Sequence, residues 1–219
     1  MAYPVYIFDA YGTLFDVHAA VRRYADQIGP DGAKLSQIWR DKQLEYSWVR
    51  ALAGRYKDFW QLTEEALDTA FALVPSVDRT WRDDLLAAYS RLDCYPEVPA
   101  VLRSLSEGGA KLAILSNGSP SMLEGAVEAA GISSLLDAVL SVDTLRTYKA
   151  HPDVYDMVTS HFRTFPDSVS FQSSNRWDIA GATAFGFRTV WINRAGVPDE
   201  YLDLSPAAVL PSLEGLGAL

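Results

Sequence analysis

Four apolar residues, Val5-Tyr6-Ile7-Phe8, run straight into Asp9 and then into a glycine-permitted bend at Gly12. A strand that is apolar on both faces belongs inside a parallel sheet, between two other strands. The sequence offers no neighbour close by. From residue 17 the apolar positions recur every three or four residues, at Ala19, Val21, Tyr24 and Ile28 and then at Leu35, Ile38, Trp39, Leu44 and Trp48. Helical patterning continues over about 57–74, with Phe59, Trp60, Leu62, Ala66, Leu67, Ala70, Phe71 and Leu73, and again over about 78–91. The partners of the first strand must lie beyond a long helical insertion.

From Tyr95 the pattern becomes an alternation of strand and helix, which in one chain of 219 residues points to a parallel sheet covered by helices. Strands are expected at 111–116, 138–142, 168–173 and 188–192, with a short last one near 207–210. Helices are expected at 121–130, 152–162 and near 178–185. Gly131 and Gly186 stand where helices should end, since a glycine adopts positive φ cheaply. The fold class is therefore α/β, with a parallel-sheet core built from residues 1–16 and 95–219 and an all-helical cap, residues 17–94, inserted into it. In open sheets of this kind ligands bind beyond the carboxyl ends of the strands. Asp9, Ser116-Asn117 and Ser173 to Asn175 all follow strands and should converge on one crevice.

Charge narrows the partners. With 19 basic and 28 acidic residues the formal net charge is −9, so no footprint for nucleic acid or an anionic membrane is expected. An anionic substrate would need cations clustered around it. Cys94 is the single cysteine, which excludes a disulfide framework and a multi-cysteine metal site and suits a packing role. No apolar run approaches the length of a membrane span and no leader-like pattern opens the chain, so a cytoplasmic protein is expected.

Residues 9–16 read Asp-Ala-Tyr-Gly-Thr-Leu-Phe-Asp. All eight match the first motif of the L-2-haloacid dehalogenases, a branch of the haloacid dehalogenase superfamily, and the chain resembles that branch along most of its length. Phosphoryl-transferring members of the superfamily carry a second carboxylate where this chain has Tyr11. Ser116-Asn117-Gly118 stands where the superfamily keeps its second motif, and Lys149 follows in Thr-Tyr-Lys-Ala-His-Pro-Asp-Val-Tyr. Ser173-Ser174-Asn175-Arg176-Trp177-Asp178, with Gly181-Ala182 close behind, is similar to the branch's closing motif. Arg40 followed by Gln43-Leu44-Glu45-Tyr46 resembles its cap. The resemblance implies a Rossmann-like core with a helical cap, no cofactor or metal, and a homodimer. It also implies hydrolysis of short L-2-haloalkanoic acids to D-2-hydroxy acids and halide.

The residues are suited to that chemistry. Halide needs no proton to leave carbon, so no acid is required at position 11, whereas phosphoryl transfer leans on magnesium and its carboxylate ligands, which positions 11 and 175 do not supply. Asp9 is expected to attack the halogen-bearing carbon from behind and form an alkyl ester, which water then cleaves at the Asp9 carbonyl carbon. Thr13 would brace Asp9, and Lys149 would favour its ionised form. Arg40, a permanent cation, is the candidate for steadying the departing halide, with Asn117 and the positive ring edge of Trp177 beside it. On its own a basic residue in a helical cap reads as a solvated charge, and Trp177 as core. Ser116 and the backbone around Tyr11 to Leu14 are the expected holders of the substrate carboxylate. Leu44, Phe59 and Trp60 would wall its alkyl side, although apolar residues at helical spacing are core more often than wall.

Asp178 is the candidate orienter or base for the hydrolytic water, helped by Ser173 and Asn175, and its other reading is an ordinary helix N-terminal carboxylate. The resemblance assigns Tyr155 to orienting Lys149. Two positions depart from the branch pattern. Arg176 replaces a small residue and would narrow the entrance or add charge near the site, and Ala150 replaces a common proline, so that loop would be looser. Trp39, Tyr46 and Trp48 form an aromatic cap face that fits a contact surface or a helix–helix core equally well. The alternative functions are a magnesium-dependent phosphatase on the same fold and a non-catalytic binding protein of that fold.

Overall fold

The structure, a computed structural model, describes residues 3–219. Strand β1 (Val5–Phe8) is followed by a run of helices: α1 (Ala19–Arg22), α2 (Ala25–Ile28), α3 (Gly32–Leu52), α4 (Phe59–Leu73) and α5 (Arg82–Tyr89). Then come α6 (Val98–Glu107), β2 (Lys111–Ser116), α7 (Pro120–Ala129), β3 (Ala138–Ser141), α8 (Pro152–Phe162), β4 (Val169–Ser173), α9 (Arg176–Phe185), β5 (Arg188–Ile192) and β6 (Ala208–Leu210). Helix α6 has no counterpart among the expected elements. Its strongly apolar side begins within a Tyr-Pro-Glu-Val-Pro stretch that reads as turn chemistry, and the prolines in fact sit before the helix and in its first turn.

The six strands lie in the order β3-β2-β1-β4-β5-β6, every neighbouring pair parallel. Val5 pairs with both Lys111 and Val169, so β1 runs down the middle, buried along its whole length. That explains its unbroken apolar sequence. The strand order reverses between β1 and β4, and the crevice beyond their carboxyl ends is where such a sheet presents ligands.

In the helical layer α3 turns Leu35, Trp39, Gln43 and Ser47 inward, one every fourth residue, onto the face of α4 that carries Phe59, Leu62, Thr63, Ala66, Leu67 and Ala70. Trp39 Nε1 donates to the Thr63 carbonyl at 2.8 Å, and Gln43 Nε2 to Thr63 Oγ1 at 2.8 Å, so the buried polar groups of this seam are paired. The aromatic face divides accordingly: Trp39 is core, 2% exposed, while Trp48 is 37% exposed one turn from the end of α3.

The two chain crossings between the helical layer and the sheet run side by side. Tyr95 N donates to the Leu14 carbonyl at 2.9 Å and Asp16 N to the Asp93 carbonyl at 3.1 Å. Arg194, just past β5, donates from Nη2 to the Thr13 carbonyl at 2.9 Å and lies 3.7 Å over the Tyr95 ring. The cap is thereby tied at its root to the loop that carries Asp9.

Candidate active site

Asp9 follows β1 directly and is only 5% exposed. The chain then bends at Gly12, whose φ is +94° and where a Cβ would come within 2.9 Å of Ser174 Oγ. Only glycine suits both the backbone and the space. The bend brings Thr13 back to the carboxylate. Ser174 N donates to Thr13 Oγ1 at 2.8 Å, so the threonine proton is directed at Asp9 Oδ2, 3.0 Å away. Asn175 Nδ2 donates to the same oxygen at 2.9 Å and to the Tyr11 carbonyl at 3.3 Å. Ser173 Oγ accepts from Asn175 N at 3.1 Å, so its contact is with the asparagine backbone.

The other Asp9 oxygen, Oδ1, accepts from Lys149 Nζ at 3.0 Å, and the same ammonium donates to Asp178 Oδ2 at 2.7 Å. Burial alone would depress the lysine, but the two carboxylates outweigh it and hold Lys149 above the usual lysine range, cationic throughout. Asp178 is fully buried in the first turn of α9, and burial pushes its carboxyl up to about 6 against the pull of Lys149, with Asp9 adding repulsion. Tyr155 OH donates to Asp178 Oδ1 at 2.9 Å. The tyrosine therefore positions Asp178 and reaches Lys149 only through it, which corrects the expectation that it would orient the lysine. Gly181 makes room for this contact, since a Cβ there would collide with the Tyr155 hydroxyl and with Ala150 Cβ.

From the cap, Arg40 Nη2 donates to the Tyr11 carbonyl at 3.2 Å and to Asn175 Oδ1 at 3.5 Å, and Nη1 to Gln43 Oε1 at 3.4 Å. All three are long for a guanidinium, which leaves it free to serve a stronger anion. Tyr11 stacks on Tyr89, with centroids 5.7 Å apart and rings 9° from parallel, and lies 6.5 Å from Phe59. Burial, with Tyr89 beside it, keeps the Tyr11 hydroxyl well above the usual tyrosine range and so protonated. That hydroxyl is buried without a protein partner among the described residues.

Asn117 Oδ1 accepts from Lys149 N at 3.0 Å, one tie on the lysine segment. Ser116 Oγ accepts from Gly118 N at 3.1 Å at the end of β2, with its proton available. Arg40 reaches Asn175, and no described bond joins it to Asn117 or Trp177, the two residues expected to share the halide with it. Trp177 is half-buried and meets Trp48 of the cap edge-on, at 5.4 Å and 83°. Phe59 is fully buried beneath Tyr11 and Tyr148, whereas Leu44 and Trp60 stand half-buried on α3 and α4 with no described bond to the Asp9 cluster. Leu14 is buried completely, and its amide and carbonyl are bonded to the Ala10 carbonyl and the Tyr95 amide, so the expected substrate contact is not open there. Arg176 does not charge the site: its guanidinium is bonded to Asp199 and to two carbonyls farther along the chain.

Sequence reasoning overlooked Ser174, which aims the Thr13 proton, and Tyr89, which stacks on Tyr11 and donates to Gln43 Oε1 at 3.2 Å. A backbone donor leaves no trace in residue identity, and a tyrosine on the inner face of α5 reads as core.

The donor set does not fit a divalent cation. Among the described residues no three His, Cys, Asp or Glu side chains converge, and the space between Asp9 and Asp178 is filled by the Lys149 ammonium. Hard cations require several oxygen ligands.

A family model described as haloacid dehalogenase-like hydrolase matches residues 3–186. The chain is 47% identical to (S)-2-haloacid dehalogenase 1 of Pseudomonas sp. (strain CBS-3), over 97% of this chain and 94% of that one. It is equally identical to (S)-2-haloacid dehalogenase 4A of Burkholderia cepacia, over 89% and 85%. The solved L-2-haloacid dehalogenase of Xanthobacter autotrophicus with chloropropionic acid covalently bound superposes with a TM-score of 0.88 at 37% identity, covering 99% of this chain and 98% of the other.

Proposed function

The chain belongs to the haloacid dehalogenase-like hydrolases, in their L-2-haloacid dehalogenase branch, and on that premise we propose that it hydrolyses the carbon–halogen bond of short L-2-haloalkanoic acids. The observation that carries the reading is a buried Asp9 carboxylate, held on both oxygens, beside a tyrosine where phosphoryl transfer would want a second acid.

In the first step an Asp9 oxygen attacks C2 from the side opposite the halogen. The new C–O bond forms as the C–halogen bond breaks, and the electron pair leaves with the halide. Arg40 supplies a fixed positive charge for that anion. Ser116 Oγ and the Tyr11 amide supply donors for the substrate carboxylate, the Gly12, Thr13 and Leu14 amides being bonded within the bend to Phe15 and Ala10 carbonyls. Back-side displacement inverts C2 and leaves an Asp9 alkyl ester.

In the second step water adds to the Asp9 carbonyl carbon and gives a proton to Asp178, which must be ionised to accept it. The acyl–oxygen bond then breaks, and the leaving alkoxide takes the proton of the Asp9 carboxyl formed by the added water. The 2-hydroxy acid departs with D configuration, Asp9 is again a carboxylate, and Asp178 releases its proton to solvent. Lys149, Thr13 and Asn175 hold the oxygens on which charge gathers. No step needs a metal.

A single turnover in oxygen-18 water with enzyme in excess tests the scheme. Label found first in Asp9 is the expected result, and label passing directly into the product overturns the ester. Phosphate-ester hydrolysis that requires magnesium, without halide release from 2-chloropropionate, overturns the function as a whole.

A further inference from the structure

A cavity of about 600 Å³ opens between the cap and the core, lined among others by Trp48, Leu52, Trp177, Tyr201, Leu204 and Lys149. Of the residues at the reacting centre, Lys149, whose ammonium holds Asp9, lines this cavity, while Asp9, Arg40 and Ser116 do not, so the cavity borders that centre on its Lys149 side. Its walls are chiefly apolar. The outer wall comes from the segment after β5, which has its own local bonds, such as Leu204 N to the Tyr201 carbonyl at 2.8 Å, and is joined to α9 by the Arg176 side chain. Arg176 Nε donates to Asp199 Oδ1 at 2.5 Å, and Nη2 donates to the carbonyls of Tyr201 and Leu204 at 3.0 and 3.2 Å. The guanidinium also lies 5.6 Å over the Tyr201 ring and 5.8 Å over that of Trp191, and the residue is 7% exposed. Tyr201 itself has a φ of +48°, a conformation that an L-residue holds only where its surroundings enforce it. The bond from Arg176 to its carbonyl is such an enforcement.

We propose that Arg176 is a positioning residue that fixes Tyr201 and Leu204 as the outer wall of a cavity for the alkyl tail of 2-haloacids longer than propionate. This deepens the function given above, in that the tail belongs to the substrate that Asp9 attacks. Each methylene buried against such a wall should strengthen binding by about fourfold. A wall that swings free supplies less of this, because the tail then stays partly in water. Arg176 acts through the segment it clamps, and Asp199, at the rim, acts through Arg176.

The test is binding of straight-chain alkanoates, propionate to hexanoate, read by quenching of tryptophan fluorescence, since Trp48 and Trp177 line the cavity. The parent chain, Arg176→Ala, Asp199→Ala and Tyr201→Ala are compared. The expected result is an affinity that rises about fourfold per methylene in the parent and less than twofold in all three variants. Arg176→Ala removes a buried group and risks misfolding, whereas Asp199 and Tyr201 are near or at the surface and keep the test informative. A purely structural role would weaken every acid alike and leave the ratio of hexanoate to propionate affinity intact. That outcome, or a parent series without slope, overturns the inference. Halide release from 2-chloropropionate is measured in parallel: its absence together with the expected binding slope refutes the dehalogenase reading and leaves the wall standing.

Discussion

Lys149 Nζ lies 3.0 Å from Asp9 Oδ1, the lysine side chain 1% exposed and the aspartate side chain 7%. An ion pair so buried adds little net stability, because desolvating both charges offsets their attraction, but removing one partner strands the other. The pair therefore serves the site more than the fold. It sets a cation against the Asp9 carboxylate in a place that water barely reaches, and its second contact, to Asp178, ties the two acids to one cation.

Lys149→Met tests this. It leaves Asp9 and Asp178 facing each other without their shared cation. A loss of about 3–5 kcal/mol in unfolding free energy by urea titration is expected, along with loss of halide release. A variant of parental stability would mean that one acid has taken up a proton.

Asp9→Asn keeps the shape and removes the charge. Halide release from L-2-chloropropionate should fall by at least about 10³-fold, with the circular dichroism spectrum unchanged. Full activity in this variant would eliminate Asp9 as the attacking group.

Arg40→Gln should lower kcat for 2-chloropropionate by about 10²–10³-fold. Arg40→Lys should recover only part of that, because an ammonium offers charge without the forked donors. The loose bonds of Arg40 to Tyr11, Asn175 and Gln43 predict little change in stability in either variant, checked by thermal melting.

The pH profile follows from Asp178. Its carboxyl sits up at about 6 in the folded protein, chiefly through burial, whereas an unfolded aspartate titrates near 3.9. If the ionised form takes the proton from water, kcat should fall on the acid side with a midpoint near pH 6. Stability runs the other way for this group. With its folded value raised, its contribution is fully present below about 3.9 and is lost as pH rises through about 6. The protein should therefore remain folded at pH 5 while losing activity, which circular dichroism and halide release at pH 5 and 7 distinguish.

Much of this was legible in the sequence because the signals were local. The apolar run at 5–8 marks a central strand, Gly12 marks the bend, and the motif residues Asp9, Thr13, Lys149, Asn175 and Asp178 do converge in space. The pairing among them was less legible. Sequence order does not say that Tyr155 reaches Asp178 instead of Lys149, that Arg40 meets Asn175, or that Arg176 turns away to Asp199. Such choices depend on the rotation of α8 and α9 and on where the 199–204 segment returns. Helix α6 escaped notice because prolines at a helix start resemble a turn.

Tyr155→Phe separates Asp178 from every other source of the acid limb. The hydroxyl donates to Asp178 Oδ1 at 2.9 Å, a bond made to the charged form that lowers its pKa. Removing the oxygen while keeping the ring leaves the packing against Phe171 and Phe187 in place and takes away one stabiliser of the carboxylate. The acid midpoint of kcat should then move above pH 6, while the value of kcat at high pH falls modestly as Asp178 loses its anchor. The direction separates Asp178 from the substrate carboxylate, whose limb would not move upward when a buried hydroxyl is deleted, and circular dichroism over the same pH range separates it from acid unfolding. A midpoint unchanged between the parent and Tyr155→Phe would remove Asp178 from the hydrolytic step and leave the attack by Asp9 untouched.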